Sequence, residues 1–481
     1  MREANLAAAQ AALGDLGFRI TTGNRYLGEF IGEAVPQEEW VREQTAAWAV
    51  AVTTLATVCK RYPQLAYAGL QKSLQQEWQF LQRVTDGIST EFQAVESSLK
   101  DDFLPALLGQ SKVGEPLRDL LALPVKHAGI AIPNPTTSAG GNFRASTIVC
   151  GHLVASLRKR VTFNGAEHTS VIKEGRSAMR VCRTAVNDNE LTRLLRNLPQ
   201  EKRRIIERGR RTGAWISVQP STVNRTKLSA KEFRDATHLR YAQVPPNFPT
   251  TCDGCSCNNF SIQHALSCKV GGLVISRHDE IKDELGQLAG KALKPSAIRD
   301  EPLINTGRKV ECSSDAPTEA DLSSTPPSPV VRDNDNRGDL MIRGFWARGT
   351  DCIVDVRITD LDSKSYLKKS SDKVLAGQEQ EKKRKYLAQC LAQRRHFTPF
   401  VSSTDGLIGK EGQTFAKRLA GLLADKWRRP YSQVCGYVNA RLSIALVRAT
   451  HRCLRGSRVP APLISVKYAQ WEDGAGLNLW K

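Results

Sequence analysis

Acidic residues are scarce in this chain relative to basic ones. Its 49 Asp and Glu stand against 69 Lys and Arg, giving a net charge of +20 and a pI near 9.6. That imbalance points to a polyanionic partner, of which nucleic acid is the commonest. An anionic membrane surface is the rival, but no basic amphipathic helix with a broad aromatic face is found. Long apolar runs are missing as well. The most apolar stretch, 40–59, is broken by charge and threonine and does not have the unbroken apolar length a bilayer span requires. No segment near the N-terminus has the form of a signal peptide. The cysteines lack the spacing of a disulfide framework: of twelve, Cys252, Cys255, Cys257 and Cys268 fall in one short window and the others are scattered. A reducing compartment follows. The expectation is a soluble nuclear or intracellular protein, neither secreted nor membrane-spanning.

With 481 residues, 41% of them hydrophobic and 25% charged, the chain has the composition of a globular protein of several domains. The first 150 residues read as helical. Val41, Trp48, Val52, Leu55 and Cys59 recur at helical spacing on one face, and 65–95 and 103–108 continue the pattern. Turn signals occur at RYLGEFIGE and LPVKHAGIAIPNP. From 151 to 246 basic residues exceed acids by about twelve, most densely in LPQEKRRIIERGRRTGAW. Such a block is either a solvated helix face or linker, or a phosphate-binding surface. Its position directly before the cysteine cluster favours the second reading, with Arg203, Arg204, Arg208, Arg210 and Arg211 as contacts and Arg277 added further on.

Cys252-x2-Cys255-x8-His264-x3-Cys268 has the ligand types and spacing of a tetrahedral zinc site. His264 and Cys268 lie one helical turn apart, and Gly254 is expected to supply the bend of the knuckle. Cys257 either replaces Cys255 or is a spare thiol. A full set of three thiolates and one imidazole leaves no open position, so the expected role of the zinc is structural.

Two isolated acids stand on apolar segments beyond the cluster: Asp339 in RGDLMIRGFW and Asp355 in DCIVDVRITD. Both segments read as strands, as do EPLINTGRKVEC before them and FTPFVSST after them. A helix is expected to start near Arg277 and another to run over 373–393. The stretch 313–336, rich in Ser, Pro and Asp, reads as a disordered insert. The tail offers two amphipathic helices, around 413–427 and 431–454, suited to packing on the preceding core.

Helix, three strands, helix, strand is the order found in restriction-type PD-(D/E)XK nucleases, and the chain resembles them. Carboxylates on adjacent strands are the hard oxygen ligands that magnesium or manganese needs. Residues of the chain also resemble, more narrowly, the C-terminal part of a non-LTR retrotransposon reverse transcriptase polyprotein. GNRYLGEFIG and LPVKHAGIAIPNP look like the end of the palm and the thumb, with Ala128 where the family often has glycine. The CCHC cluster, Arg277-His278-Asp279, Gly338-Asp339, Asp355 and Lys382-x-x-Lys385-Tyr386 follow in the family's order.

The resemblance implies an α+β multidomain protein: a helical thumb-like region over 1–150, a basic linker over 151–246, a zinc knuckle over 247–275, an α/β restriction-endonuclease-like core over 276–406 and a helical tail over 407–481. It implies that Asp339 and Asp355 hold Mg2+ or Mn2+, that Lys382 or Lys385 serves the water or scissile phosphate, and that Tyr386 and His278 support them. DNA, and RNA beside it, are the implied partners, together with a polymerase palm lying N-terminal to this chain, whose F/Y-x-D-D motif is absent from the sequence. A nick in target DNA then primes reverse transcription. The rival expectation is a catalytically inactive zinc-dependent nucleic-acid-binding protein of retroelement origin. Asp279 for asparagine, Gly338 for proline and Arg357 at the usual lysine position are the departures.

Overall fold

Cys352 to Val356 are buried on both faces of Asp351–Thr359, and this nine-residue strand takes an inner place in a four-stranded sheet. The computed structural model describes residues 2–17, 20–304 and 337–459. The insert expected over 313–336, and most of EPLINTGRKVEC, lie outside the described residues.

The N-terminal region is helical apart from one hairpin. Helix α1 (Arg2–Leu13) precedes strands β1 (Gly23–Tyr26) and β2 (Glu29–Gly32), which pair antiparallel across Leu27 and Gly28. Both turn residues have positive φ, 50° and 87°, the conformation a two-residue hairpin requires. Helices α2 (Ala34–Arg61), α3 (Pro63–Gly69), α4 (Gln75–Val84), α5 (Gln93–Ser97), α6 (Leu104–Leu108) and α7 (Glu115–Ala122) follow, with π-helical turns at Leu70–Leu74 and Ser98–Phe103. Two long helices come next, α8 (Pro135–Leu157) and α9 (Gly165–Leu195), then α10 (Gln200–Thr212) and α11 (Ala230–Arg240). The helical core gathers Val41, Val52, Trp78, Phe92 and Phe103 and continues into Leu191, Leu195, Ile206, Trp215, Phe233 and Tyr241. Much of 151–246 is therefore an integral part of this core, which corrects its reading as a linker.

Helix α12 (Ile262–Ser267) carries part of the cysteine cluster, and α13 (Leu273–Ala292) leads into the sheet. Strands β3 (Ile298–Asp300), β4 (Leu340–Arg343) and β5 (Asp351–Thr359) are antiparallel; β6 (His396–Ser403) pairs parallel to β5, reached through the crossover helix α14 (Ser371–Ala392). Helices α15 (Lys410–Trp427) and α16 (Tyr431–Arg455) complete the chain's described part. One face of the sheet (Leu340, Ile342, Val354, Val356, Phe400) packs on α13, α15 and α16 through Leu285, Leu288, Leu419 and Leu442. The other meets α14, where Ile353 and Phe397 pack with Tyr386 and Cys390. The architecture is α+β, a helical region followed by a small mixed sheet wrapped in helices.

Candidate metal and nucleic-acid sites

Ser261 caps α12 by accepting the backbone N–H of His264 at 3.1 Å, and Cys268 ends the helix. This sets the imidazole and one thiol on the same side. The loop before it brings in the other two: Ser256 N donates to Cys252 O at 2.9 Å and Cys252 N to Cys257 O at 3.0 Å. Cys252 Sγ lies 4.0 Å from Cys268 Sγ, Cys255 Sγ lies 3.3 Å from His264 Nε2, and one ligand atom from each of the four residues falls within 4.8 Å of all the others.

Zinc–sulfur and zinc–nitrogen bonds of about 2.3 and 2.0 Å give tetrahedral edges of roughly 3.5–3.8 Å, so the set fits a zinc ion with small adjustment. Burial pushes the Cys252 thiol up, but the N–H groups of Cys255 and Gly254, with His264, bring it down to about 6. It is a ready thiolate. Cys257 stands apart from this set, half-buried against Phe260, Leu266 and their neighbours.

The bend of the knuckle is made by Ser256, whose φ is 57°, and not by Gly254 as expected. Glycine is needed at 254 for closeness: an added Cβ would come 2.7 Å from Arg458 Cβ and 2.8 Å from Val270 Cγ1. Arg458 itself straps the knuckle, donating to Ala265 O and Cys453 O and stacking 5.0 Å over Phe260.

The second cluster lies on the α14 side of the sheet. Asp339 stands at the start of β4, its N–H bonded to Val354 O at 3.1 Å and its Oδ2 accepting Val356 N at 2.5 Å. Asp355 sits in mid-β5, 4% exposed, with Lys382 Nζ of α14 at 2.6 Å from its Oδ2. Burial pushes the Asp355 carboxyl up, with Lys382 opposing and the charge of Asp339 reinforcing the shift. From α13, His278 places Nε2 3.1 Å from Asp339 Oδ2 and Nδ1 3.1 Å from Asp279 Oδ1. Burial alone would lower His278; the two carboxylates overcome it and raise the imidazole to about 9. Sequence reasoning treated Asp279 only as a departure and missed that it holds the second nitrogen; the adjacency of the two residues was the signal.

Four of the expected residues thus converge: Asp339, Asp355, Lys382 and His278. Tyr386 instead turns into the core, 5.6 Å from the Phe397 ring, and Lys385 lies 4.9 Å over its face. Arg357 points along α14 and pairs with Glu381 at 2.8 Å.

The arginine block does not match its expected role. Arg208 is buried, with its guanidinium on Asp362 at 2.5 Å and on Asp405. Arg204 donates to the carbonyls of Leu361, Tyr366, Leu367 and Lys369, and Arg203 to those of Arg196 and Leu198. Arg277, 3% exposed, donates to Leu266 O beside the knuckle. Arg210 and Arg211 remain exposed but pair with Asp188 at 2.8 Å and Asp372 at 2.9 Å. Arg203, Arg204, Arg208 and Arg277 are fold-holding donors: carbonyls nearby in the chain occupy Arg203 and Arg277, and carbonyls and carboxylates more than 150 residues away occupy Arg204 and Arg208.

Among the described residues no helix is long and apolar enough to cross a membrane. No protein-family model matches the chain, and no curated protein does.

Proposed function

We propose that this chain is a zinc-stapled nucleic-acid-binding protein of retroelement type. The single observation that carries the reading is the Cys252, Cys255, His264, Cys268 set, whose donor atoms all lie within 4.8 Å of one another in a chain of net charge +20. Zinc there organises the junction of α12, α13 and α16, since Leu266, Leu273, Cys453 and Leu454 pack around the ligands. Electrostatic binding of this kind is steeply salt-dependent.

A second reading, endonuclease activity on DNA, is favoured by one further observation: Asp339, Asp355, Lys382 and His278 meet on the sheet in the order of restriction-type nucleases. On this reading Asp339 and Asp355 would hold magnesium or manganese, which supplies charge to polarise a phosphodiester. Lys382 is the cation beside the buried carboxylate and would face the scissile phosphate. His278, fixed on both nitrogens, positions Asp339. Arg357 is neutralised by Glu381, so α14 and not β5 would supply the working cation. A nick made this way would prime synthesis by a reverse transcriptase.

Supercoiled-plasmid nicking with magnesium or manganese, beside a gel-shift titration, separates the two. Retardation without nicking supports the binding reading. Nicking by the parent that Asp355→Ala abolishes, with retardation unchanged, establishes the nuclease. Absence of retardation at low salt removes both.

A further inference from the structure

Helices α8 and α9 leave the body of the protein as a paired arm. α8 buries Pro135, Ala139 and Ala145 and nothing beyond them; the 31-residue α9 buries only Leu191 and Leu195 near its end. At 1.5 Å per residue, α9 before Leu191 extends for about 40 Å. The helices meet along a half-buried seam of Val171, Ile172, Gly175 and Met179. They cross closely at Gly175, where an added Cβ would lie 3.3 Å from Ile148 Cγ2.

The arm's charge is one-sided. Between 141 and 183 there are eight lysines and arginines and two acids, Glu167 and Glu174. On α9, Lys173, Arg176, Arg180 and Arg183 recur at intervals of three, four and three residues, the spacing that aligns side chains on one helix face, and all four are exposed. Arg183 donates to Asn142 Oδ1 at 3.3 Å; among the described residues Lys173, Arg176 and Arg180 have no acidic partner. This is the reverse of α10, whose arginines are held by carboxylates and carbonyls. Like charges three and four residues apart destabilise a helix by a few tenths of a kcal/mol each, a cost that a polyanion lying along the stripe would cancel.

We infer that this face of α9 docks on the phosphate backbone of duplex DNA. The inference rests on the nucleic-acid-binding reading and gives it a location. Cations repeating about every 5 Å along the helix axis present a linear positive array to the dense line of duplex phosphates. Lysine and arginine alone form the stripe, so it offers charge without a stacking platform for single-stranded bases. Contacts of this kind position a protein on DNA without reading its sequence.

The test uses the full chain and its Lys173→Gln/Arg176→Gln/Arg180→Gln variant, titrated with a fluorescent DNA duplex over a salt series. Neutralising three phosphate contacts should flatten the slope of log K against log salt by about 2.7, at roughly 0.9 per contact. Unchanged helix content by circular dichroism and unchanged zinc content show that the variant is folded; if either falls, the single Arg176→Gln and Arg180→Gln variants, each expected to flatten the slope by about 0.9, replace it. A parent that binds and a folded variant with the same slope overturn the arm. A parent that fails to bind any duplex overturns the functional reading beneath it. The arm also exposes Leu157 and Phe163 at its tip, so phosphatidylserine vesicles are titrated in parallel. Loss of vesicle binding with DNA binding intact overturns the inference in favour of a membrane surface. A larger loss on duplex RNA than on DNA overturns the choice of DNA.

Discussion

Gly338 shows how one residue can depart from an expected pattern for a local reason. The resemblance leads one to expect proline before Asp339. Here the Gly338 N–H donates to Pro302 O at 3.0 Å, a bond proline cannot make, and an added Cβ would come 2.4 Å from Ile353 Cγ2. Gly338→Ala should therefore cost about 1–3 kcal/mol through overpacking. In an Ile353→Ala background that cost should shrink; urea denaturation of the four chains measures the coupling, and equal costs in both backgrounds would place the strain elsewhere. His278 gives a second test at this scale. Its pairing with Asp339 and Asp279 raises it from about 6.5 to about 9. A raised imidazole contributes stability that is complete below its unfolded value and lost as pH rises through the folded one. The stability difference between the parent and His278→Gln, measured without added magnesium, should be largest near pH 6 and fade as pH passes about 9. A difference constant across that range would show that the imidazole is neutral in the fold.

Elements are joined by buried ion pairs that bridge long stretches of sequence. Asp235 of α11, 3% exposed, accepts from His451 at 2.8 Å and from Arg455 at 2.9 and 3.0 Å, both on α16. Burial pushes its carboxyl up, but these donors hold it below the usual carboxylate range. Asp235→Asn should destabilise the protein at neutral pH by about 3–5 kcal/mol, because the cations stay behind without their counter-charge. The sign with pH follows: the parent keeps this contribution above the ordinary carboxylate value of about 3.9 and loses it as pH falls through the lower folded value, so the variant's deficit should narrow in acid. The knuckle is tested in the same way, through its ligands. Cys268→Ser should lose bound zinc and lower the melting temperature, whereas Cys257→Ser should retain both. Zinc measured by atomic emission decides between them, and loss with Cys257→Ser would make that thiol a ligand.

The same contrast explains what the sequence could and could not reveal. The knuckle was legible because its ligands lie close together and zinc chemistry fixes their spacing. Helices α13 and α14 were expected near where they fall, and α15 and α16 were legible from their amphipathic pattern. Asp339, Asp355, Lys382 and His278 could be singled out in order, although the third dimension alone brings a helix lysine to a strand carboxylate. The arginine block misled because charge density says nothing about partners: Arg208 meets Asp362 and Asp405, which lie far along the chain. The exposed stripe of α9 went unnoticed beside the denser but neutralised α10.

At the scale of the whole molecule, the helical region and the sheet region share more than a chain connection. Arg204 and Arg208 of α10 hold the loop after β5, Arg448 of α16 donates to Lys227 O, and Ile444 of α16 packs into the helical core. A chain beginning near residue 246 would keep the zinc ligands and the sheet. It would lose the partners of Asp362 and Asp405 and uncover the face of α16 that meets α11. Such a piece should therefore be less stable than the intact chain. In the intact chain the exposed connection between α8 and α9, which contains Arg158, Lys159 and Arg160, is where trypsin should act first. The two products should remain associated on gel filtration, because the cut spares the core that residues 191–241 share with 41–139. A chain expressed from residue 247 should melt lower than the intact protein and lose its sharp transition. A resistant fragment starting near 246, as stable alone as within the whole, would make the sheet region autonomous and reduce the α10 arginines to surface contacts.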